Sequence, residues 1–215
     1  MGFVADPREW AESIFGGCEL GDVRRVDRLV DYAARQALAP AASTSEACKG
    51  DAAAHQGAYK LLRNENVRPD DIDDGAFDAV AEAAAQRELV LAIQDSTGVS
   101  FKHPMAKVLA AEGSPTGFVV HSTLLVDALD GSLIGVVDQQ RWVREPKQDK
   151  ASRAKRSYQE KESFKWEAAQ SRVQERFADR NRVITVCDRE AGHLRLPAIH
   201  EGPRTAIRTA GVHRP

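Results

Sequence analysis

Two apolar segments, each ending on an aspartate, constrain the fold of this chain more than any other feature. Residues 89–95 (Leu-Val-Leu-Ala-Ile-Gln-Asp) and 182–188 (Arg-Val-Ile-Thr-Val-Cys-Asp) have the length and apolar content of buried strands. A carboxylate at the end of a buried strand is held rigidly while it faces a cleft, as a Mg²⁺ ligand in phosphoryl transfer requires. An aspartate there can also simply cap the next turn or helix. The pair Asp95 and Asp188 predicts a metal-dependent nuclease or transposase.

The residues between the two aspartates predict the rest of a mixed sheet. Residues 118–128 and 133–144 read as strands joined by the turn Asp130-Gly131, a dipeptide that favours a tight hairpin. Residues 160–177 have helical periodicity, with Trp166 and Val173 on the apolar stripe. We therefore expect a three-stranded antiparallel sheet, extended by residues 182–188 beside the first strand. Asp95 and Asp188 should then lie roughly 4 to 7 Å apart, within reach of a shared metal pair.

The first 80 residues are predicted to be helical. Residues 7–15 place Trp10 and Ile14 on one face and end at Gly16-Gly17, a typical helix stop. Residues 23–37 repeat apolar side chains at helical spacing behind Asp22. Residues 45–62 indicate one or two further helices, and 70–87 lead into the first strand. The arginines of this region are interpreted either as a solvated face or as phosphate contacts.

Six separate segments, in order, resemble one family: the cut-and-paste DDE transposases of bacterial insertion sequences, of the Tn-five type. The resemblance runs from about residue 8 to residue 191. The segments are Glu19-Leu20-Gly21-Asp22-Val23-Arg24-Arg25 with Arg28-Leu29-Val30, Gln56-Gly57-Ala58-Tyr59-Lys60-Leu61-Leu62-Arg63-Asn64, Ala92-Ile93-Gln94-Asp95-Ser96-Thr97, Val120-His121-Ser122, Glu160-Lys161-Glu162-Ser163 with Lys165-Trp166, and Val186-Cys187-Asp188-Arg189-Glu190-Ala191.

The resemblance implies a fold, a metal and a role for each site. The fold class would be α+β or α/β: a helical DNA-binding domain over 1–80, then an incomplete ribonuclease-H-like mixed sheet with flanking helices over 88–191. Asp95 and Asp188 would be the first two catalytic acids and ligands of Mg²⁺, with Mn²⁺ as a substitute. The helical domain would grip double-stranded DNA at the transposon inverted repeats. Its implied contacts are Arg24, Arg25, Arg28, Lys60 and Arg63. Lys161, Lys165 and Arg172 are expected to reach the donor strand.

The third acid of the family, a glutamate on a late helix, has no counterpart here, and the family's dimerisation region is absent. Residues 192–215 lack strand or helix periodicity and read as an aberrant, disordered tail. With suitable synonymous codons, deleting one base at Gly192 gives Asp-Ile-Ser-Ala-Tyr-Leu-Gln-Tyr-Met, an amphipathic helix. We therefore expect a truncated, frameshifted transposase that does not catalyse transposition on its own.

Composition narrows the class of protein further. The chain has 215 residues, 42% of them hydrophobic, and a formal net charge of −2. It is long enough for one large or two small domains. The sequence shows no apolar run of membrane-spanning length and no signal peptide, which predicts a cytoplasmic protein. The resemblance implies that it is bacterial and associated with the nucleoid when bound to DNA. Three widely separated cysteines favour reduced thiols over disulfides or a zinc site.

Three functions stay open at this point. The first is a transposase by descent that no longer cuts DNA. The second is a non-catalytic DNA-binding module that occupies transposon ends and inhibits a full-length transposase. The third is a stand-alone ribonuclease-H-like hydrolase, which would need further carboxylates from Asp127, Asp138 or Glu190.

Overall fold

The computed structural model describes residues 6–101, 117–143, 157, 159 and 162–187. Asp188, Lys161, Glu190 and the tail 192–215 lie outside the described residues. The contacts divide the chain into two compact units, one ending at Glu82 and one beginning at Ala83. We call them the helical unit and the sheet unit.

The helical unit contains the predicted N-terminal helices. Aspartate and serine side chains begin four of them: the carboxylate or hydroxyl of Asp6, Asp22, Ser43 and Asp51 accepts a hydrogen bond from a backbone N–H of the first turn. The first helix ends at Phe15, directly before Gly16-Gly17, as predicted. The five helices are α1 (Pro7–Phe15), α2 (Val23–Leu38), α3 (Thr44–Ala47), α4 (Ala52–Leu62) and α5 (Pro69–Ala85).

Two apolar clusters hold the helical unit together. One consists of Cys18, Leu20, Leu29 and Leu61, and the other of Ala11, Val30 and Ala34 with Trp10 and Phe15 packed against it. Leu29 and Val30 are neighbours in sequence, so α2 supplies one residue to each cluster and lies between them. The helices predicted over residues 7–15 and 23–37 are confirmed.

One glycine marks a close approach inside this unit. A Cβ atom at Gly75 of α5 would stand 2.7 Å from the Sγ atom and 2.8 Å from the Cα atom of Cys18. No side chain fits at such distances, so glycine is required where α5 crosses the segment between α1 and α2. The Sγ atom of Cys18 in turn lies 3.6 Å from the Ile72 carbonyl, to which it donates.

The sheet unit is a four-stranded mixed sheet with a helix, and it confirms the predicted α+β class and strand order. The strands lie in the order β3-β2-β1-β4, with β4 parallel to β1 and the other pairs antiparallel. The hairpin turn at Gly131 has a positive φ of 74°, which glycine adopts without strain. The elements are β1 (Val90–Ser100), β2 (Gly117–Asp127), β3 (Leu133–Trp142), α6 (Lys165–Glu175) and β4 (Val183–Val186).

The two faces of the sheet differ in burial because successive strand residues point to opposite sides. The face that contacts α6 carries buried residues, including Ala92, Leu125 and Val183. On the other face Ile93 is only half-buried and Leu124 is exposed. Among the described residues, the sheet therefore has one well-packed face and one more exposed face, which carries Ile93, Asp95 and Leu124 and which we call the open face.

Strand β1 differs from its predicted end. The sequence predicts that it stops at Asp95, but β1 continues to Ser100. The reason is β2, which pairs with β1 along the whole length from Val90 opposite Asp127 to Ser100 opposite Gly117. Pairing with β4 ends earlier, at Ile93 opposite Val186. Asp95 therefore lies within a strand, two residues beyond the last described pair with β4.

Candidate DNA interface and candidate metal site

Side chains in the C-terminal half of α2 bind the starts of α3 and α4. Arg35 donates to the carboxylate of Asp51, the residue that caps α4, at 2.8 Å, and pairs with Asp31 one turn earlier at 2.9 Å. The Tyr32 hydroxyl lies 2.9 Å from the Thr44 hydroxyl at the start of α3. These bonds fix α3 and α4 against α2, so the basic residues of its first two turns are placed on a defined surface.

Two of those basic residues have local structural roles. Arg24 donates from Nη2 to the Asp22 carboxylate at 2.7 Å, while Asp22 also caps α2 by accepting from the Arg24 backbone N–H at 2.9 Å. This hydrogen bonding to Arg24 lowers the pKa of Asp22 to about 2. Arg25 is half-buried and donates to the Leu20 carbonyl at 2.8 Å. Arg24 thus remains exposed but neutralised by its partner, and Arg25 supports the turn before α2.

Arg28 and Lys60 are exposed at the contact between α2 and α4. The Cγ atom of Arg28 lies 4.0 Å from the point where a Cβ atom on Gly57 would stand, so its stem passes over α4 at that glycine. Lys60 follows Gly57 by three residues, about one helical turn. Among the described residues neither cation has an ion pair or a side-chain hydrogen bond. The structure therefore leaves these two charges available to an anionic partner.

A column of side chains on α4 positions Arg63. Its guanidinium carbon lies 5.2 Å from the centre of the Tyr59 ring, and the His55 ring meets the same tyrosine edge-on at 4.9 Å. The His55 Nε2 atom is 3.0 Å from the Ser45 hydroxyl of α3. Tyr59 is half-buried and supports an exposed arginine. The spacing i, i+4, i+8 of His55, Tyr59 and Arg63 is the signal that could have revealed this column.

Asp95 is the candidate metal ligand within the described residues. Its side chain is exposed and projects from the open face of the sheet, opposite Ser122 in β2. Ser122 accepts a hydrogen bond from the Gln139 side chain at 2.9 Å, which continues a polar row across the open face to β3. Within the described part of the chain, the Asp95 carboxylate makes no hydrogen bond or ion pair. An exposed strand carboxylate that the fold does not use has the oxygen ligands that Mg²⁺ prefers.

The other described carboxylates near the sheet are engaged elsewhere. Asp138 forms a two-pronged ion pair with Arg172 of α6, at 2.6 and 2.9 Å, on the face opposite Asp95. Asp127 pairs with Arg87 at 3.5 Å and caps the hairpin, five residues along β2 from Ser122. In residues 6–101, 117–143 and the described part of 157–187, no three metal-ligating side chains cluster. Neither Asp127 nor Asp138 therefore completes a site with Asp95.

The positions of Lys165 and Arg172 on α6 differ from the expectation that both side chains reach a donor strand. Arg172 is bound to Asp138, and Lys165 is buried, with its Nζ atom 5.7 Å from the Trp142 ring centre and 5.2 Å from that of Trp166. Both side chains pack against the sheet, because the helix turns this face inward with Trp166. They are therefore not placed to contact a donor strand.

His121 belongs to β2, and its ring projects from the face of the sheet that contacts α6. Its ring is fully buried, with Nδ1 2.9 Å from the Ser96 hydroxyl and Nε2 3.2 Å from the side-chain amide oxygen (Oε1) of Gln94. Burial lowers its pKa to about 4, and the charge of Lys165 acts in the same direction. His121 is thus a hydrogen-bonding core residue of β2.

Comparison with known families bears on the helical unit. Residues 7–67 match a family described as transposase DNA-binding. The match spans α1 to α4 and includes all five predicted DNA contacts, Arg24, Arg25, Arg28, Lys60 and Arg63. The helical unit therefore contains a transposase N-terminal domain, and its partner is DNA. Among the described helices, none combines the length and apolar character needed to cross a membrane.

Proposed function

We propose that this chain is a transposase polypeptide of the Tn-five type, in which the helical unit binds transposon ends and the sheet unit is part of a ribonuclease-H-like DDE domain. The observation that carries the proposal is the transposase DNA-binding match over 7–67, followed after α5 by strand β1, whose exposed Asp95 carboxylate makes no hydrogen bond or ion pair among the described residues. The strand order supports it, since the parallel neighbour β4 leads to Asp188 two residues after Val186. In a bacterium the protein would be cytoplasmic and DNA-associated.

The proposed DNA surface is the N-terminal half of α2 together with α4. Arg28, Lys60 and Arg63 supply its phosphate contacts, because their charges are exposed and the structure orients two of them against Gly57 and Tyr59. Arg24 joins them once DNA phosphate competes with Asp22, and Arg25 shapes the turn that precedes α2. Sequence specificity for inverted repeats would come from base contacts of the same helices.

The proposed metal site takes Asp95 and Asp188 as ligands of Mg²⁺ or Mn²⁺. Both aspartates follow the last described β1-β4 pair, Ile93 opposite Val186, by two residues. Bound Mg²⁺ would supply a water of lowered pKa and stabilise charge on the phosphate oxygens during hydrolysis and strand transfer. The chain's own contribution is to hold the carboxylates on a rigid sheet. With two carboxylates, we expect no cleavage by these 215 residues alone.

DNA binding is tested with a pool of 30-base-pair duplexes of random sequence, enriched by repeated selection on the full chain. We expect the double variant Arg28→Glu with Lys60→Glu to weaken binding at least tenfold in fluorescence anisotropy. Each lost phosphate contact should also reduce the slope of log affinity against log salt by about 0.9. The control is Lys49→Glu, which reverses an exposed charge on the turn after α3. Equal losses in the two variants, or no binding by the unsubstituted chain, would contradict the proposed surface.

Cleavage is tested with the selected duplex and Mg²⁺ or Mn²⁺. We expect binding without nicking, which is also the behaviour of the alternative function, a non-catalytic module that inhibits a full-length transposase. Divalent-dependent nicking that disappears in both Asp95→Ala and Asp188→Ala would show instead that the chain supplies a complete ligand set.

A further inference from the structure

The two residues that flank Asp95 are held by one side chain. Gln94 and Ser96 project from the face of β1 that contacts α6, while Asp95 projects from the opposite face. The His121 ring bonds to both of them, through Nε2 at 3.2 Å and Nδ1 at 2.9 Å. The ring therefore spans the backbone of β1 directly behind the candidate ligand.

The chemistry of the three side chains fixes the direction of these bonds. The side-chain Oε1 atom of Gln94 can only accept, so the Nε2 atom of His121 carries the proton and donates to it. Nδ1 is then unprotonated and accepts a hydrogen bond from the Ser96 hydroxyl. In the described part of the chain, the Gln94 side-chain nitrogen has no hydrogen-bond partner, so the His121 bond is what orients this amide.

The His121 ring packs against α6, and α6 is attached to β3. Trp166 meets it edge-on, with ring centres 4.5 Å apart and planes at 81°. Gln140, opposite His121 in β3, donates from its side chain to the Lys165 carbonyl at 2.9 Å, which attaches β3 to the first turn of α6. The bonds from Gln94 and Ser96 to His121, together with the contact of His121 with Trp166, thus connect the centre of β1 to α6.

We infer that His121 is a positioning residue for Asp95. Its ring bonds to the side chains of the residues on either side of this aspartate and thereby restrains β1 there, so that the carboxylate on the open face keeps one orientation toward a divalent cation. The inference rests on the proposed metal-binding role of Asp95. The bonds matter there because pairing with β4 has already ended at Ile93, so that β1 is supported at Asp95 by β2 alone among the described strands. Groups that hydrogen-bond to a metal ligand typically contribute tenfold or more to metal affinity, and we take about that magnitude for His121, which acts through the two neighbours of Asp95.

The test compares His121→Phe with Thr123→Val in the full chain. Phenylalanine keeps an aromatic ring against Trp166 and removes both hydrogen bonds. Thr123 lies two residues along β2 on the same buried face, and its hydroxyl has no partner among the described residues, so valine there is a matched control. The first measurement is hydrogen exchange in the segment 94–96 relative to 90–92. The second is Mn²⁺ affinity by electron paramagnetic resonance, with Asp95→Asn as the reference for loss of the ligand.

We expect His121→Phe to accelerate exchange in 94–96 at least tenfold over 90–92 and to weaken Asp95-dependent Mn²⁺ binding about tenfold. Thr123→Val should change neither. If His121→Phe does not fold, Ser96→Ala removes one of the two bonds and should give a smaller loss of Mn²⁺ affinity. Uniform acceleration along β1, or unchanged Mn²⁺ affinity despite local acceleration, would overturn the inference.

Failure of the proposed metal site has a different signature. In that case the unsubstituted chain and Asp95→Asn would bind Mn²⁺ equally, and the inference would fall together with the site. Failure of positioning alone would appear only in the His121→Phe and Ser96→Ala variants, against an unsubstituted chain that does bind Mn²⁺ through Asp95.

Discussion

The helical unit and the sheet unit place their charged and polar side chains in opposite ways. In the helical unit the ion pairs lie at the surface: the Arg24 side chain is 77% exposed beside Asp22. In the sheet unit the Asp138 side chain is only 5% exposed where it meets Arg172, and His121 is fully buried. The DNA-binding unit thus keeps its charges where phosphates can reach them. The sheet unit uses its polar groups internally to fix geometry.

This difference has an energetic consequence. Exposed ion pairs contribute about 0 to 1 kcal/mol each, so the helical unit depends on its apolar clusters, and its surface charges are open to change without loss of the fold. A buried polar group costs free energy as soon as its partner is removed. Substitutions of the most exposed charged residues should therefore be tolerated in the helical unit, and substitutions of buried polar residues should be destabilising in the sheet unit.

The largest expected effect comes from the aromatic residue at the centre of the sheet unit. Trp166 is 2% exposed and packs on His121, so Trp166→Ala should lower the free energy of unfolding by about 4 kcal/mol. Trp10 of the helical unit is only half-buried against its cluster, and Trp10→Ala should cost about half as much. Urea denaturation followed by circular dichroism measures both. Equal losses would show that the two units do not differ in this way.

The second effect is a pH dependence confined to the sheet unit. His121 has its pKa lowered from 6.5 to about 4, by burial and by the charges of Lys165 and Arg172, which outweigh the opposing effect of Asp138 and Asp95. Above pH 6.5 the ring is neutral in both the folded and unfolded states, and its contribution to stability is constant. Between pH 6.5 and 4 only the unfolded state takes up the proton, so stability should fall by about 1.4 kcal/mol per pH unit, about 3 kcal/mol in all.

The measurement is the pH profile of unfolding for the unsubstituted chain minus that for His121→Phe, which removes the contribution of the carboxylates. Stability should be greatest above pH 6.5 and decline toward pH 4 in the difference profile. A flat difference between pH 7 and 4 would mean that the His121 ring is not neutral in the folded state.

The smallest of the three effects compares one ion pair from each unit. Arg172→Ala leaves the buried Asp138 without its partner and should cost about 2 kcal/mol, below the usual range for a buried pair because Arg172 itself is partly exposed. Lys49→Ala breaks the exposed pair with Glu46 and should cost about 0.3 kcal/mol. Thermal or urea unfolding distinguishes the two. A similar cost for both would remove the contrast between the units.

Much of the backbone could be predicted from local patterns. Residues 7–15 and 23–37 show helical spacing behind a capping aspartate, and the structure has helices at Pro7–Phe15 and Val23–Leu38. The Asp130-Gly131 turn and the alternating runs on both sides predict the hairpin β2-β3. These features depend on residues close in sequence, which is why the pattern is sufficient. The sites are predicted less completely, because their properties depend on partners distant in sequence.

Three residues show what the sequence pattern could not decide. Asp95 was expected at a strand end, but pairing with β2 carries the strand to Ser100. Arg172 was expected to be exposed, but Asp138, 34 residues away, binds it against the sheet. The implied DNA contact Arg63 lies over the ring of Tyr59, a support that the sequence analysis did not assign. In each case a contact formed by the fold outweighs the local preference of the residue.

The sequence by itself determined the elements of this protein and their order, and it indicated a DNA-binding region within residues 7–67, where the transposase DNA-binding match lies. Helical and strand periodicities and capping residues act over a few positions, so they can be recognised in the sequence alone. The tertiary structure alone decided which of the cations remain exposed, which face of the sheet is open, and that His121 bonds both neighbours of Asp95. Those properties depend on which surfaces exclude water when β1, β2 and α6 come together, and no single segment contains that information.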